Sequence, residues 1–439
     1  MKDIAIEYRH SLIDDEALRQ LADRLAPEIG RLRDVRADGY ETPYASINLP
    51  GDVQQRAIAK QLAQEKLRLR PTVLVVVGIG GSNLGTLAVY EALRNLYDND
   101  KLLPLKIYFA DTVDSDAIGR LLDVLDRELR SGNKIIINVV SKSGRTTETI
   151  ANFEILYELL CRHAGSAAPD QVVVTTDEGS DLWHLAGDEK FARLAVPKHV
   201  GGRYSVFSAV GLFPLALCGI DVDELCAGAA RGLDLSTSED LFANPAALRA
   251  ALLCAHYQRG IRIHDTFVFS VDLEGVGRWY RQLMGESIGK AHDRKGSEVH
   301  MGITPTVSVG STDLHSVGQL YLGGPYDRLT TFVGVERNTN EPVVPDLPKY
   351  DKLVANIQGR TLASIMDAIL AGVQRAYEGG KRPFMTMMLP GKSPWYIGQL
   401  LQVHMVEIMY LGCLLNVDPF DQPQVELYKR ETREILSHG

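Results

Sequence analysis

Residues 72–85 read TVLVVVGIGGSNLG, and this stretch decides how the chain must fold. Positions 72–77 are an unbroken, largely β-branched run of strand length. A strand wet on one face alternates apolar and polar residues, and this one does not. Both of its faces are therefore buried, as in parallel sheets covered by helices. The run ends in Gly78, Gly80, Gly81 and Gly85, and a helical pattern follows through Leu96. A glycine-rich turn between strand and helix presents backbone N–H groups and a helix N-terminus, an arrangement suited to an anion. The spacing is not that of a dinucleotide fingerprint: Gly78, Gly80 and Gly85 lie too far apart, and no acidic residue closes a second strand about 20 residues later. A phosphate on a small molecule is expected here. The plainer alternative is a turn that only lets strand and helix pack closely.

The unit recurs downstream. Residues 105–110 read as a strand, 117–129 as a helix and 134–140 as a second buried strand. That strand runs into SKSGRTTET at 141–149 and a helix over 147–161. Ser141, Ser143, Thr146 and Thr147 offer hydroxyls beside Lys142, Arg145 and a helix start, a second anion cradle. A helix cap needs one hydroxyl, not four, which favours phosphate over simple capping. Strands are expected at 171–176 and 191–196, then VGGRYSV at 200–206 ahead of a helix over 208–219. Arg203, after two glycines, can aim its guanidinium into a cleft where negative charge develops. A single arginine is otherwise more often a surface ion-pair partner. The β-α-β-α alternation predicts a parallel sheet with helices on both faces and ligands at the carboxyl ends of its strands.

The second half repeats the pattern with less regularity. Helices are expected over 246–258, 276–289, 353–377 and 394–415, and strands over 266–271, 306–309, 329–335 and 384–389. Residues 336–352 read as a surface excursion. Within this half, GESIGK at 285–290 supplies the carboxylate of Glu286, and STDLHS at 311–316 supplies His315, a pairing able to move protons on a small substrate. The chain closes with NVDPFDQPQVELYKRET at 416–432, whose prolines force an extended turn before a short helix. At the other end, Leu12, Leu18, Leu21, Leu25 and Ile29 form a helical stripe. The expected organisation is an α/β protein of two doubly wound parallel-sheet domains with extra terminal helices. Its segments are a helical piece at 1–65, a first α/β domain at 66–220, a connector with a helix at 221–245, a second α/β domain at 246–415 and a C-terminal piece at 416–439.

The 439 residues carry a formal charge of −9, with 45% hydrophobic and 23% charged residues. This is an ordinary globular balance over more than one core. It argues against a nucleic-acid or anionic-membrane partner, each of which needs a basic face. The cysteines number five, and none is paired as CxxC. Reduced thiols in a cytoplasmic protein are the simplest reading. The N-terminus has no apolar leader-like core, and no uninterrupted apolar run is expected to span a membrane.

Taken together, GIGGS at 78–82, SKSGRTTET at 141–149, GGRYS at 201–205, GESIGK at 285–290, GSTDLHS at 310–316 with Gln319, and DPFDQP at 418–423 with Lys429 resemble the phosphoglucose isomerase family in its shorter bacterial form. The matches run in family order from about residue 72 to residue 430. The resemblance implies two sugar-isomerase (SIS-like) α/β domains, a homodimer with shared active sites, and aldose–ketose isomerisation of a phosphorylated hexose, glucose 6-phosphate and fructose 6-phosphate, without metal or nucleotide cofactor. Carried over, Glu286 is the base moving a proton between C2 and C1, and Arg203 stabilises the enediolate. His315, from the partner subunit, and Lys429 open the sugar ring. Gln282 and Gln422 contact substrate. Gly81, Ser82, Ser141, Lys142, Ser143 and Thr146 hold the phosphate, and Gly202 lies beside the reacting carbons. Arg145, Asn83 and Gln424 depart from the family pattern, and Gln424 bears on where Lys429 lies. Glu148 matches a family glutamate and receives no chemical step. Two other readings compete: a broader phosphosugar isomerase that also takes mannose 6-phosphate, and a non-enzymatic sugar-phosphate sensor, which would have no use for Glu286, His315 and Lys429 together.

Overall fold

The computed structural model describes residues 2–94 and 105–438. Its strands, in chain order, are β1 (Ala5–Glu7), β2 (Pro71–Val77), β3 (Lys106–Ala110), β4 (Lys134–Val140), β5 (Val172–Asp177), β6 (Ala192–Val196), β7 (Ile263–Val268), β8 (Lys290–His292), β9 (Glu298–Met301), β10 (Thr304–Val309), β11 (Arg328–Val335) and β12 (Phe384–Leu389).

The first sheet has the order β3-β2-β4-β5-β6 and is parallel throughout. Val73, Val75 and Val77, with Ile135, Ile137 and Val139, face a core shared with the helices Ser115–Arg130 and Thr147–Ala164. Leu74, Val76 and Ile136 face the opposite way, into the main core. Alternate residues thus enter two different apolar layers, which is why the strand sequence shows no polar alternation. The helix after β2 is Leu84–Leu93, and its expected end at Leu96 lies outside the described residues.

The second sheet runs β1-β12-β11-β7-β10. Its four long strands are parallel, and β1 pairs antiparallel on the β12 edge. Phe267, Phe269, Phe332 and Phe384 form an outer aromatic core beneath the helix Leu362–Gly379. Val268, Val333, Met385 and Met387 face inward. Between the two sheets the helices Val222–Leu235, Pro245–Gln258, Glu274–Ile288 and Pro394–Leu414 fill one continuous core.

Several expectations change. The N-terminal piece contributes β1 to the second sheet, and its helix Asp15–Asp34 buries Leu18, Leu21, Leu25 and Ile29. Leu12 lies outside that helix and is 50% exposed. A helix at Val53–Leu67 was not anticipated. The helix expected from 353 begins at Leu362, so the surface excursion is longer than the sequence suggested. Residues 221–245 hold a helix at the centre of the protein. A Cβ on Gly228 would lie 1.9 Å from the Trp395 carbonyl oxygen, and one on Gly398 would lie 2.0 Å from that of Leu225. These glycines let the two central helices cross almost backbone to backbone. The helix Pro394–Leu414 is long and apolar enough to cross a membrane, against expectation, but 94% of its apolar window is buried inside the protein.

Candidate active site

The site gathers where the carboxyl ends of the first sheet meet the end of one central helix. β2 and β4 are neighbours, so the turns that follow them are neighbours too. After β2 the chain makes a short 3-10 turn, Gly80–Ser82. Gly80 has φ +60°, and a Cβ on Gly81 would lie 2.2 Å from the carbonyl carbon of Gly202. Only glycine permits this contact, which sets the Gly201–Gly202 backbone against the first turn. Ser205 Oγ ties them further, donating to the carbonyls of Gly202 at 2.7 Å and Gly81 at 3.3 Å.

This packing drives Arg203 inward, where it is 1% exposed. Its Nε donates to Ser287 Oγ at 2.7 Å, and Nη1 to Glu286 Oε2 at 3.2 Å and to Gln422 Oε1. Its Nη2 donates to the carbonyls of Pro419 at 2.6 Å and Asp421 at 3.1 Å. A buried guanidinium must satisfy its fork, and here it does so by joining three segments far apart in sequence. Glu286 lies in the last turn of the helix Glu274–Ile288 and is partly exposed. Gln282, one turn earlier, donates Nε2 to Glu286 Oε1 at 2.9 Å. Glu286, Arg203, Gln282, Gln422, Gly81 and Gly202 thus form one cluster.

The turn after β4 forms the cradle. Thr146 occupies the N-cap position of the helix Thr147–Ala164, but its hydroxyl makes no cap bond. It meets Ser141 Oγ at 3.0 Å instead. Two hydroxyls paired over an open helix start suit an oxyanion better than they suit a cap. Ser82 shares this corner, since a Cβ on Gly78 would lie 3.0 Å from both Ser82 Cβ and the Val140 carbonyl oxygen. Ser143 is exposed beside it. Lys142 is partly buried, and desolvation pushes its ammonium below the usual lysine range. It lines a cleft of about 700 Å³ with Asp177, Lys198 and His199. Arg145 points outward, its Nε donating to Asp181 Oδ2 at 2.6 Å on an exposed surface.

Two expected residues stand apart from this cluster. His315 closes the 3-10 turn Thr312–His315 and is exposed. Lys429 lies on the helix Val425–His438, where its Nζ donates to Glu426 Oε1 at 2.8 Å. Gln424 does not disrupt that helix: the Leu427 amide donates to the Gln424 carbonyl at 3.2 Å. The sequence reading did not single out Ser287, Tyr204 or Lys290, although all three fall inside the quoted motifs. Tyr204 OH lies 3.1 Å from Ser287 Oγ, and Lys290 Nζ donates to Asp421 Oδ1 at 2.6 Å.

Residues 70–439 match the family model described as phosphoglucose isomerase. A glucose-6-phosphate isomerase of Carboxydothermus hydrogenoformans is 35% identical over 428 residues, covering 92% of this chain and 91% of that one. One of Symbiobacterium thermophilum is 38% identical over 386 residues, covering 86% and 82%. Among solved structures, a hypothetical protein of Thermus thermophilus matches with a TM-score of 0.86 at 30% identity, covering 99% of both chains. A glucose-6-phosphate isomerase of Chlamydia trachomatis shares the fold, with a TM-score of 0.81 at 21% identity over 100% of this chain and 89% of that one.

Proposed function

The chain belongs to the phosphoglucose isomerase family and interconverts glucose 6-phosphate and fructose 6-phosphate; we propose that Glu286 is the base that carries the proton between C2 and C1. A hydrogen beside a carbonyl is weakly acidic. Its removal calls for a carboxylate within reach and a fixed cation for the enediolate that forms. Glu286 takes the proton from C2, the electron pair becomes the C1–C2 double bond, and the C1 carbonyl oxygen becomes the enediolate oxygen. A proton passes from O2 to O1, the C2 carbonyl forms, and Glu286 returns its proton at C1. Arg203 stabilises the oxyanion, and Gln282 and Gln422 orient the chain of the sugar. Ser82, Ser141, Ser143, Thr146 and Lys142 hold the phosphate remote from the reacting carbons, so its binding energy serves to position them. Lys429 and His315 of the partner subunit open the ring.

The observation that carries this reading is the contact of the buried Arg203 with Glu286 at 3.2 Å. Glu286→Gln keeps the shape and removes the base. It should lower kcat by several powers of ten while phosphosugar binding persists, on the order expected for losing a proton-transfer group and its charge. A coupled assay and a direct binding measurement check both halves, and near-normal turnover would exclude Glu286 as the base.

The second copy is part of the same proposal. The accessible surface is 20,160 Å², against about 16,600 Å² for a folded monomer of this mass. The excess is accompanied by exposed apolar side chains: Leu320 at 50% and Tyr326 at 65%, Leu353 at 77% in the excursion, and Ile435 at 72% on the last helix. Surfaces of this kind mark protein contacts. A two-fold dimer that buries them is the arrangement proposed. We also place the enzyme in the cytoplasm, in glycolysis and gluconeogenesis. Its five free cysteines support a reducing compartment.

A further inference from the structure

Lys290 ends the Gly285–Lys290 motif and opens β8, four residues beyond Glu286. Its side chain is 4% exposed. Taking an ammonium out of water costs several kcal/mol unless it is paired and hydrogen-bonded. Lys290 has one carboxylate partner among the described residues, Asp421, whose Oδ1 it meets at 2.6 Å and whose carbonyl it also bonds. That carbonyl is the one that accepts Arg203 Nη2. The two buried cations therefore share the loop at Pro419, Asp421 and Gln422, with Tyr204 OH on the Pro419 carbonyl at 3.3 Å and Arg294 Nε on the Val417 carbonyl at 3.0 Å.

Two consequences follow from what lies on either side of Asp421. The next residue is Gln422, bonded to Arg203. Beyond it begins the helix Val425–His438, none of whose residues is buried. Within this chain, no packed face fixes that helix; its origin is set by the loop. We propose that Lys290 is a positioning residue for the reaction: through Asp421 it holds Gln422 over Arg203 and sets the starting point of the helix that carries Lys429. This rests on the assignment of Glu286 and Lys429 made above. Proton transfer and ring opening would then share one buried lysine, which touches neither the migrating proton nor the ring oxygen.

The test compares Lys290→Met, Lys290→Arg, Asp421→Ala and Glu286→Gln in the full chain. Isomerisation reports both steps. Opening and reclosing the ring also exchanges the α and β anomers of glucose 6-phosphate, with no proton leaving carbon, so anomer exchange above the uncatalysed rate reports ring opening alone. Lys290→Met should lower kcat roughly 100-fold with KM changed less than about threefold, because the phosphate cradle lies on other loops. Anomer exchange should fall with it, by at least about tenfold. Lys290→Arg, which can still bond Asp421, should recover to within about tenfold of the parent. Asp421 is 53% exposed and its backbone carbonyl, which Asp421→Ala retains, still accepts Lys290, so Lys290 keeps one partner in that variant, which should lose roughly tenfold in kcat. It decides the matter if Lys290→Met fails to fold. A kcat within about threefold of the parent in Lys290→Met or Asp421→Ala overturns the proposal, as does a Lys290→Arg enzyme no better than Lys290→Met. Glu286→Gln keeps the two readings separate. If it isomerises normally, the base assignment fails, whereas an inactive Glu286→Gln beside a normal Lys290→Met removes only the role of Lys290.

Discussion

His256 and His264 are sealed in the core, 3% and 0% exposed, away from the chemistry. A carbonyl can only accept, so His256 carries its proton on Nε2, which meets the Ser11 carbonyl at 2.8 Å. Burial pushes its pKa down to about 4, and that of His264 to about 3, where the nearby Arg249 adds to the burial. A histidine held neutral in the fold binds fewer protons than it does unfolded. Its stabilising effect is full above the unfolded value near 6.5 and is lost as pH falls toward the folded one. For His256 the loss between pH 7 and pH 5 is about 2 kcal/mol. Urea unfolding at the two pH values should show His256→Gln losing about 2 kcal/mol less than the parent over that interval; equal losses would mean that the imidazole is charged in the fold. The candidate site divides at the same scale. Arg203 and Glu286 were legible because each stands beside glycines in a short motif, GGRYS at 201–205 and GESIGK at 285–290, that resembles a known family. The backbone partners of Arg203 were not, because the carbonyls of Pro419 and Asp421 leave no mark in the residue types. Arg145 sat in a phosphate-like string yet bonds Asp181 on the surface; direction is set by the turn, and residue type does not encode it.

Among the elements, the crossing of Val222–Leu235 with Pro394–Leu414 does most to fix the space between the sheets. A Cβ on Gly228 would lie 1.9 Å from the Trp395 carbonyl oxygen and one on Gly398 2.0 Å from that of Leu225, so neither helix can accept a side chain at the crossing. Backbone cannot retreat as the end of a flexible side chain can. Gly228→Ala should therefore destabilise the fold by about 3 kcal/mol or more. Gly372, in the helix Leu362–Gly379, has nothing within 4 Å of a built Cβ, so Gly372→Ala should stabilise by roughly 0.5–1 kcal/mol through helix propensity. Thermal and urea midpoints of the pair check the contrast, and two changes of the same sign would mean that the crossing is not this close. Long, doubly buried strands such as β2 and β4 were legible because both faces demand apolar residues. β1 was not: three residues offer no period, and its place is won by pairing with β12. The helix Val53–Leu67 also escaped, because its buried face is built from Ala59, Ala63 and Lys66 and shows no large apolar stripe.

For the whole molecule, one copy brings Glu286 and Arg203 together, while His315 is exposed on a separate turn. If the ring is opened by His315 of the partner subunit, each active site needs one Glu286 and the other chain's histidine. This makes a prediction about mixtures. Glu286→Gln dimers have no base in either site, and His315→Ala dimers have no histidine in either site. Unfold the two together, let them reassemble at random, and half of the dimers are mixed. In a mixed dimer one site carries both defects, and the other pairs an intact Glu286 with an intact His315. The mixture should then show about one quarter of the parent's activity, from the two-fold arrangement alone. If His315 served the site of its own chain, every site in every combination would carry a defect, and the mixture would be no more active than its components. Refolding the equimolar mixture, confirming its mass by light scattering and assaying it beside each component distinguishes the two. Activity at the level of the components would place the histidine in the same chain as the base and end the shared-site proposal.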